Sequence, residues 1–156
     1  PMAQGQPDRE SLLEAAMMDT GKPVLLVPDD GTTTAGKTVI LAWNGSKEAA
    51  RAVSVAMPIL ARADSVTVLT VKDGDVTSDP QDLADVLKLN GINATATVAD
   101  MVKAGVATTL ESEAAKIKAD LLVIGAYSHS RMREFIMGGV TDDMLNEIQL
   151  PVLLVH

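Results

Sequence analysis

Residues 38–46, which read TVILAWNGS, decide the fold. Residues 38–43 are a short continuous apolar run, typical of a strand that is covered on both faces of a parallel sheet. Asn44 and Gly45 predict a turn, and Ser46 is a good N-cap for a helix predicted over residues 47–63. A strand that passes through a short turn directly into a helix begins a β-α-β unit, and the rest of the chain repeats this order.

Strands and helices alternate in the remainder of the sequence. Further strands are predicted over residues 65–71, 94–99, 121–125 and 151–155, and further helices over residues 80–90, 105–118 and 141–147. Pro58 predicts a kink in the first helix. Alternation of this kind implies a parallel sheet with right-handed crossovers. Five strands with four helices fit the doubly wound α/β class.

The composition of the 156 residues excludes several classes of protein. A net charge of −8 and only three aromatic residues argue against nucleic-acid binding. The absence of cysteine excludes disulfides and thiolate zinc sites, and two histidines leave little for another metal site. No apolar run approaches the ~20 residues of a membrane span, and no signal peptide is visible. We therefore expect a cytoplasmic protein without a metal centre or a membrane partner.

The first 36 residues differ from this regular pattern. They predict a polar lead-in, a short helix, a strand and a linker, at residues 1–10, 11–19, 24–27 and 29–36. One helix and one strand are too few to bury a core of their own. We therefore assign residues 1–36 to a lead-in and residues 37–156 to the folded domain.

Two loops are placed to bind a ligand, because doubly wound sheets bind ligands beyond the carboxyl ends of their strands, where the strand order reverses. They are residues 43–46 and residues 125–141. Glycine lets the backbone approach a ligand, and free N–H groups near a helix start bind phosphate. The second loop has small residues at Gly125, Ser128, Gly138 and Gly139.

The polar residues of the second loop allow two interpretations. Ser130 and Thr141 could contribute hydroxyl contacts to a phosphate, and Arg131 and Arg133 could contribute positive charge. In the other interpretation the glycines only permit a tight turn and close packing, and both arginines lie on a solvated face. The chemistry of the residues favours neither.

The spacing within this loop resembles that of the universal stress protein family. The family's fingerprint is a glycine, two residues, a second glycine, nine residues, and then a glycine followed by serine or threonine. Gly125 and Gly138 match it, Ser128 stands where the second glycine is expected, and Gly139 replaces the hydroxyl residue. Residues 44–46 (NGS) resemble the family's Asp-Gly-Ser after the first strand, with Asn44 for aspartate.

The resemblance covers about residues 36–156, since residues 150–155 (LPVLLV) resemble the family's final strand. It implies a five-stranded parallel sheet in the order 3-2-1-4-5, flanked by helices, in a Rossmann-like fold of the adenine nucleotide alpha hydrolase-like type. Residues 21–28 (GKPVLLVP) look like that same final strand. Many members carry two domains in tandem, so we interpret residues 11–28 as the end of a preceding domain; a natural extension that resembles the motif is the alternative.

The family's final strands pair edge to edge. The resemblance therefore implies that residues 24–27 cover the edge formed by residues 152–155, either within one chain or between the chains of a homodimer. An unpaired strand edge invites such association.

For function, the resemblance implies binding of ATP or a related adenine nucleotide, with or without Mg²⁺, in a stress-response regulatory role. The base and ribose would be lined by Ala42, Trp43, Asn44, Gly45 and Val71. The phosphates would be lined by Gly125, Ser128, His129, Ser130, Arg131, Gly138, Gly139, Val140 and Thr141. Because Asn44, Ser128 and Gly139 depart from the family pattern, a nucleotide-free interaction module with a degenerate glycine loop is the alternative.

No catalytic residue is predicted. His129 has no acid–base or nucleophilic partner near it in sequence. Asp29 and Asp30 lie in a linker, and Asp142 and Asp143 are better placed to cap a helix than to bind Mg²⁺. A nucleotidyl transferase would need a phosphate loop directly after the first strand, where residues 44–46 are too short a signal. Slow ATP hydrolysis is the most that the sequence supports.

Overall fold

The computed structural model describes residues 12, 15–16, 19–28, 34–72, 78–125 and 149–156, and the structural statements below concern these. The strands are β1 (Val24–Leu26), β2 (Thr38–Ala42), β3 (Ser65–Lys72), β4 (Ala94–Asp100), β5 (Leu121–Gly125) and β6 (Val152–Val155). The helices are α1 (Lys47–Leu60), α2 (Pro80–Leu89) and α3 (Val106–Ile117). The helix predicted over residues 141–147 lies outside the described residues.

The strands form one sheet in the order β1-β6-β5-β2-β3-β4. Strands β2 to β6 are parallel and stand in the order predicted for the five-stranded sheet. The α/β fold class is therefore confirmed, and the sheet has six strands instead of five because the strand predicted at residues 24–27 joins it. The sixth is β1, which pairs antiparallel with β6 in the same chain, with Val24 opposite Leu154 and Leu26 opposite Val152. It covers backbone groups of β6 that would otherwise be unpaired at this edge.

Apolar side chains cover both faces of the sheet, which explains the continuous apolar run of β2. Val39 and Leu41 point to one face and Ile40 to the other, and each is at most 1% exposed. On the first face α1 and α2 contribute Ala52, Ala56, Leu60, Ala84 and Leu87 to the core. On the second face α3 contributes Leu110 and Ala114. The core is thus aliphatic, as expected for a chain with three aromatic residues.

Helix α1 begins where the sequence predicted and ends early. The Ser46 hydroxyl accepts a hydrogen bond from the Ala49 N–H at 3.1 Å, which caps the helix. The helix continues through Pro58 and ends at Leu60. The next two residues, Arg62 and Ala63, bond three residues back instead of four, so the chain leaves the α-helical pattern before residue 63.

A carboxylate fixes the start of β2 against β5. Asp120 accepts hydrogen bonds from the N–H groups of Gly36 at 3.1 Å, Lys37 at 3.0 Å and Thr38 at 2.9 Å. These contacts lie at the amino-terminal ends of the strands, whereas the predicted ligand loops lie at the carboxyl ends. Asp120 therefore sets the position of the domain's first strand and takes no part in the candidate site.

Among the described residues no helix is long and apolar enough to cross a membrane.

Candidate functional site

The carboxyl ends of three neighbouring strands form the switch point of the sheet. β2 is paired with β3 on one side and with β5 on the other. The chain first adds β3 and β4 on one side of β2 and then crosses over to add β5 and β6 on the other side. Doubly wound sheets bind their ligands in the crevice at this point. Six of the predicted site residues lie at these strand ends or in the turn after β2: Ala42, Trp43, Asn44, Gly45, Val71 and Gly125.

The predicted phosphate side falls almost entirely outside the described residues. Its residues outside the described ranges are Ser128, His129, Ser130, Arg131, Gly138, Gly139, Val140 and Thr141. Gly125 is the one member of that side that the structure describes.

Trp43 is fixed at the end of β2 by three hydrogen bonds. Its N–H donates to the Leu69 carbonyl at 2.8 Å, and its carbonyl accepts from the Thr70 hydroxyl at 2.8 Å. The indole Nε1–H donates to the Ser78 hydroxyl at 2.8 Å. The half-buried ring also packs against the core cluster on the α1 and α2 face. Trp43 therefore links the end of β2 to β3 and to the residue that precedes the N-cap of α2.

Sequence reasoning did not predict the two side-chain hydroxyl groups that bond to Trp43. Thr70 is 2% exposed, and its hydroxyl is satisfied by the Trp43 carbonyl. A threonine near the end of an otherwise apolar strand is a weak signal, because threonine is common in strands. Ser78 directly precedes Asp79, the N-cap of α2. Nothing in that local pattern points to a partner in the turn after β2.

The turn after β2 has little freedom to move. The Asn44 Oδ1 accepts a hydrogen bond from the Ser46 N–H at 3.1 Å, which closes an Asx turn. Gly45 has φ +76°, and a Cβ at that position would lie 2.7 Å from Cβ of Ser78. The turn thus requires a glycine for its backbone conformation and for its contact with Ser78.

Gly125 packs directly against the first turn of α1. A Cβ on this residue would lie 2.5 Å from the Ala49 nitrogen and 2.6 Å from the Glu48 carbonyl oxygen. Backbone atoms cannot swing aside as a flexible side chain can, so the close approach of β5 to α1 depends on glycine here. Close packing, one of the two predicted roles of the loop glycines, therefore applies to Gly125.

The charges described near the crevice do not form a metal site. No group of three or more histidine, cysteine, aspartate or glutamate side chains could hold a metal ion in the part of the chain that the structure describes. Glu48 lies in the first turn of α1, where a negative charge is favourable to the helix. Elsewhere, on the exposed face of α2, hydrogen bonds from Lys88 and Gln81 lower the pKa of Asp85.

A mostly parallel, doubly wound sheet whose strand order reverses at β2 defines a Rossmann-like α/β domain. The universal stress protein family model matches residues 36–156, which is most of the chain. The chain therefore belongs to the universal stress protein family. No curated protein matches it.

Three solved structures show the same fold. A universal stress protein from Archaeoglobus fulgidus DSM 4304 is 21% identical with a TM-score of 0.67, over 94% of this chain and 52% of its own. A family protein from Burkholderia pseudomallei is 22% identical with a TM-score of 0.51, over 80% and 98%. A universal stress protein in complex with cAMP is 23% identical with a TM-score of 0.55, over 77% and 97%. The present chain thus spans about half the length of the Archaeoglobus chain.

Proposed function

We propose that this domain binds ATP or a related adenine nucleotide in the crevice at the ends of β2, β3 and β5, and that it acts in stress-response regulation. The observation that carries the proposal is that β2 and β5 are neighbours in the sheet. The turn at residues 43–46, which follows β2, and Gly125, where the glycine-rich segment begins, therefore lie at the same end of the sheet. The similar structure in complex with cAMP supports it, because cAMP is an adenine nucleotide.

The base and ribose would lie against the ends of β2 and β3. Ala42 and Val71 are half-buried and pack against the core cluster on the α3 face, so they offer apolar surface to a purine. Trp43 limits the crevice on the side where Ser78 holds the indole. Because the Asn44 Oδ1 is engaged in the Asx turn, the Asn44 Nδ2 is the group that would meet a ribose hydroxyl.

The phosphates would lie on the side of residues 125–141. The backbone of Gly125 lies against Glu48 and Ala49, which leaves little room for a phosphate between β5 and the first turn of α1. Amide groups of the glycine-rich loop and the guanidinium groups of Arg131 and Arg133 are the better partners. A magnesium ion would then be held by the phosphates and water rather than by a protein cage.

The alternative is a nucleotide-free module that works by self-association or by pairing with another domain. It is favoured by Asn44, Ser128 and Gly139, which replace the residue types of the family fingerprint. We also propose that residues 11–28 are the end of a preceding domain, and that β1 occupies on β6 the position that the final strand of a neighbouring domain takes in the family. The similarity to the Archaeoglobus structure, which extends over 94% of this chain, supports this second proposal.

The single tryptophan makes the proposal testable without a label, because Trp43 borders the crevice. We expect ATP, and more weakly cAMP, to change Trp43 fluorescence and to release heat in calorimetry, while GTP has less effect. Gly138→Val should raise the Kd for ATP at least about tenfold, a loss of about 1.4 kcal/mol. Asn44→Asp should keep the turn, since a carboxylate oxygen can also accept from the Ser46 N–H, and should bind ATP at least as tightly.

The matched control for Gly138→Val is Gly21→Val. Gly21 precedes β1 and has φ +59°, so a valine there strains the backbone, but a Cβ would meet no atom within 4 Å. The variant therefore shows what a strained glycine-to-valine change does away from the glycine loop. This variant should bind ATP as the parent does. A parent protein that gives neither heat nor a fluorescence change at about 1 mM ATP, a concentration that detects even weak binding, would establish the nucleotide-free alternative. Binding that survives Gly138→Val unchanged would place the nucleotide away from the glycine loop.

A further inference from the structure

β4 forms one edge of the sheet over seven residues. All seven residues of β4 pair in register with β3, from Val66 opposite Ala94 to Lys72 opposite Asp100, without a bulge. No described residue pairs with its other side, and the strand at the opposite edge of the sheet, β1, is only three residues long. Lysines, prolines and bulges are the usual protections of an edge strand, and β4 has none of them.

The direction of the free backbone groups follows from the bonds at the two ends of the β3–β4 pair. The Val66 N–H donates to the Asn93 carbonyl at 2.8 Å, and the Met101 N–H donates to the Lys72 carbonyl at 3.3 Å. In a parallel pair every second residue directs both its N–H and its C=O to the neighbour. The residues of β4 that face away from β3 are therefore Ala94, Ala96, Val98 and Asp100.

Exposed apolar side chains lie on β4 and directly after it. Val98 is 46% exposed on β4 itself, and Met101 and Val102, which follow the strand, are 40% and 41% exposed. Asp100 is the only charged residue of β4 and lies at its end. Such an edge offers both hydrogen bonds and apolar surface to an added strand.

We propose that this edge is a homotypic interface, where β4 of one copy pairs antiparallel with β4 of a second copy about a two-fold axis at Thr97. In this register Ala96 exchanges both backbone hydrogen bonds with Val98 of the other copy, and Ala94 does so with Asp100. Thr97 then faces Thr97, a favourable cross-strand pair. The two sheets become continuous across the axis.

The sequence of β4 favours a second copy over an unrelated extended segment. In the two-fold register small or apolar residues face each other at Ala96 and Val98, and Thr95 faces Ala99. The two Asp100 carboxylates lie at opposite ends of the pair, so no like charges are directly opposed. A closed two-fold pair of this kind uses the same surface on both copies, as the commonest homodimers do.

The test is Ala96→Pro, measured by sedimentation equilibrium between about 1 µM and 1 mM, the range expected for a small interface. Proline removes the outward N–H of residue 96 and leaves the bonds to β3 in place. We expect the parent to dimerise and Ala96→Pro to raise the dimer Kd at least about tenfold. The melting temperature, extrapolated to low concentration, should change little. Val98→Lys, at an exposed side chain, should have the same effect and serves if Ala96→Pro does not fold.

Leu25→Pro is the matched control at the other edge of the sheet. The Leu122 N–H donates to the Pro151 carbonyl at 2.9 Å, so Val152 and Leu154 direct their backbone groups to β1. Leu25 of β1 is then the residue whose N–H points outward. Leu25→Pro should leave the dimer Kd unchanged. A parent that stays monomeric up to about 1 mM, or a dimer lost in Leu25→Pro but kept in Ala96→Pro and Val98→Lys, would overturn the proposal.

Discussion

At the scale of single residues, Gly125 is needed for the packing of β5 against α1, whether or not a ligand binds. Its backbone lies against Glu48 and Ala49, residues that are far away in the sequence. The fingerprint spacing predicted Gly125 as a site residue, and no local pattern could show that α1 would pack on it. Trp43 is a similar case, because the sequence pointed to the residue but not to Thr70 and Ser78, which hold it.

Gly125→Ala should destabilise the fold by about 3 kcal/mol or more, because the added methyl group meets backbone rather than a movable side chain. Urea unfolding measures this. Gly91→Ala is the comparison, since Gly91 has φ +77° but no atom within 4 Å of a Cβ, and it should cost about 1 kcal/mol for its backbone conformation alone. Equal costs at the two positions would contradict tight packing of β5 on α1.

Because Gly125→Ala is expected to destabilise the fold, a loss of nucleotide binding in this variant would not prove a phosphate contact. Gly138 is for this reason the better position for the binding test.

At the scale of elements, the described strands and helices were predictable because each carries its signal locally. Strands buried on both faces appear as continuous apolar runs, and α1 and α2 begin at capping residues, Ser46 and Asp79. The direction of β1 was not predictable, because three apolar residues pair equally well either way. The contact of Asp120 with the start of β2 was not predictable either, since its partners are backbone N–H groups of a distant segment.

Asp120→Asn should destabilise the domain by about 1–3 kcal/mol, because an amide group replaces a carboxylate oxygen that accepts from the Lys37 N–H. The amide hydrogens of residues 36–38 should also exchange faster with solvent. Denaturant unfolding and hydrogen exchange measure the two effects. Asp64→Asn is the control, since the Asp64 carboxylate lies 4.0 Å from the Lys37 ammonium with both side chains mostly exposed, and it should cost less than about 0.5 kcal/mol. If Asp120→Asn lowers the free energy of unfolding as little as Asp64→Asn does, the N–H groups of residues 36–38 have other hydrogen-bond partners.

At the scale of the whole molecule, the order of β2 to β6 and the pairing of residues 24–27 with the edge at residues 152–155 followed from the family resemblance. The state of the β4 edge did not. β1 forms one edge, and β4 forms the other, where no residue that the structure describes pairs with its outer side. Alternation fixes crossovers between parallel strands, but an added antiparallel strand or a second copy leaves no periodic pattern in the sequence. The net charge of −8 is likewise a property of the whole chain, and it acts on any anionic ligand.

If ATP binds as proposed, the net charge of −8 should slow its association at low ionic strength. Raising NaCl from about 10 mM to about 150 mM shortens the Debye length from about 30 Å to about 8 Å and screens this long-range repulsion. The association rate constant for ATP, followed in a stopped-flow instrument through Trp43 fluorescence, should therefore rise several-fold. Adenosine, which is uncharged, should show no such change. An association rate for ATP that falls with salt would mean that a local positive field, such as that of Arg131 and Arg133, outweighs the charge of the whole molecule.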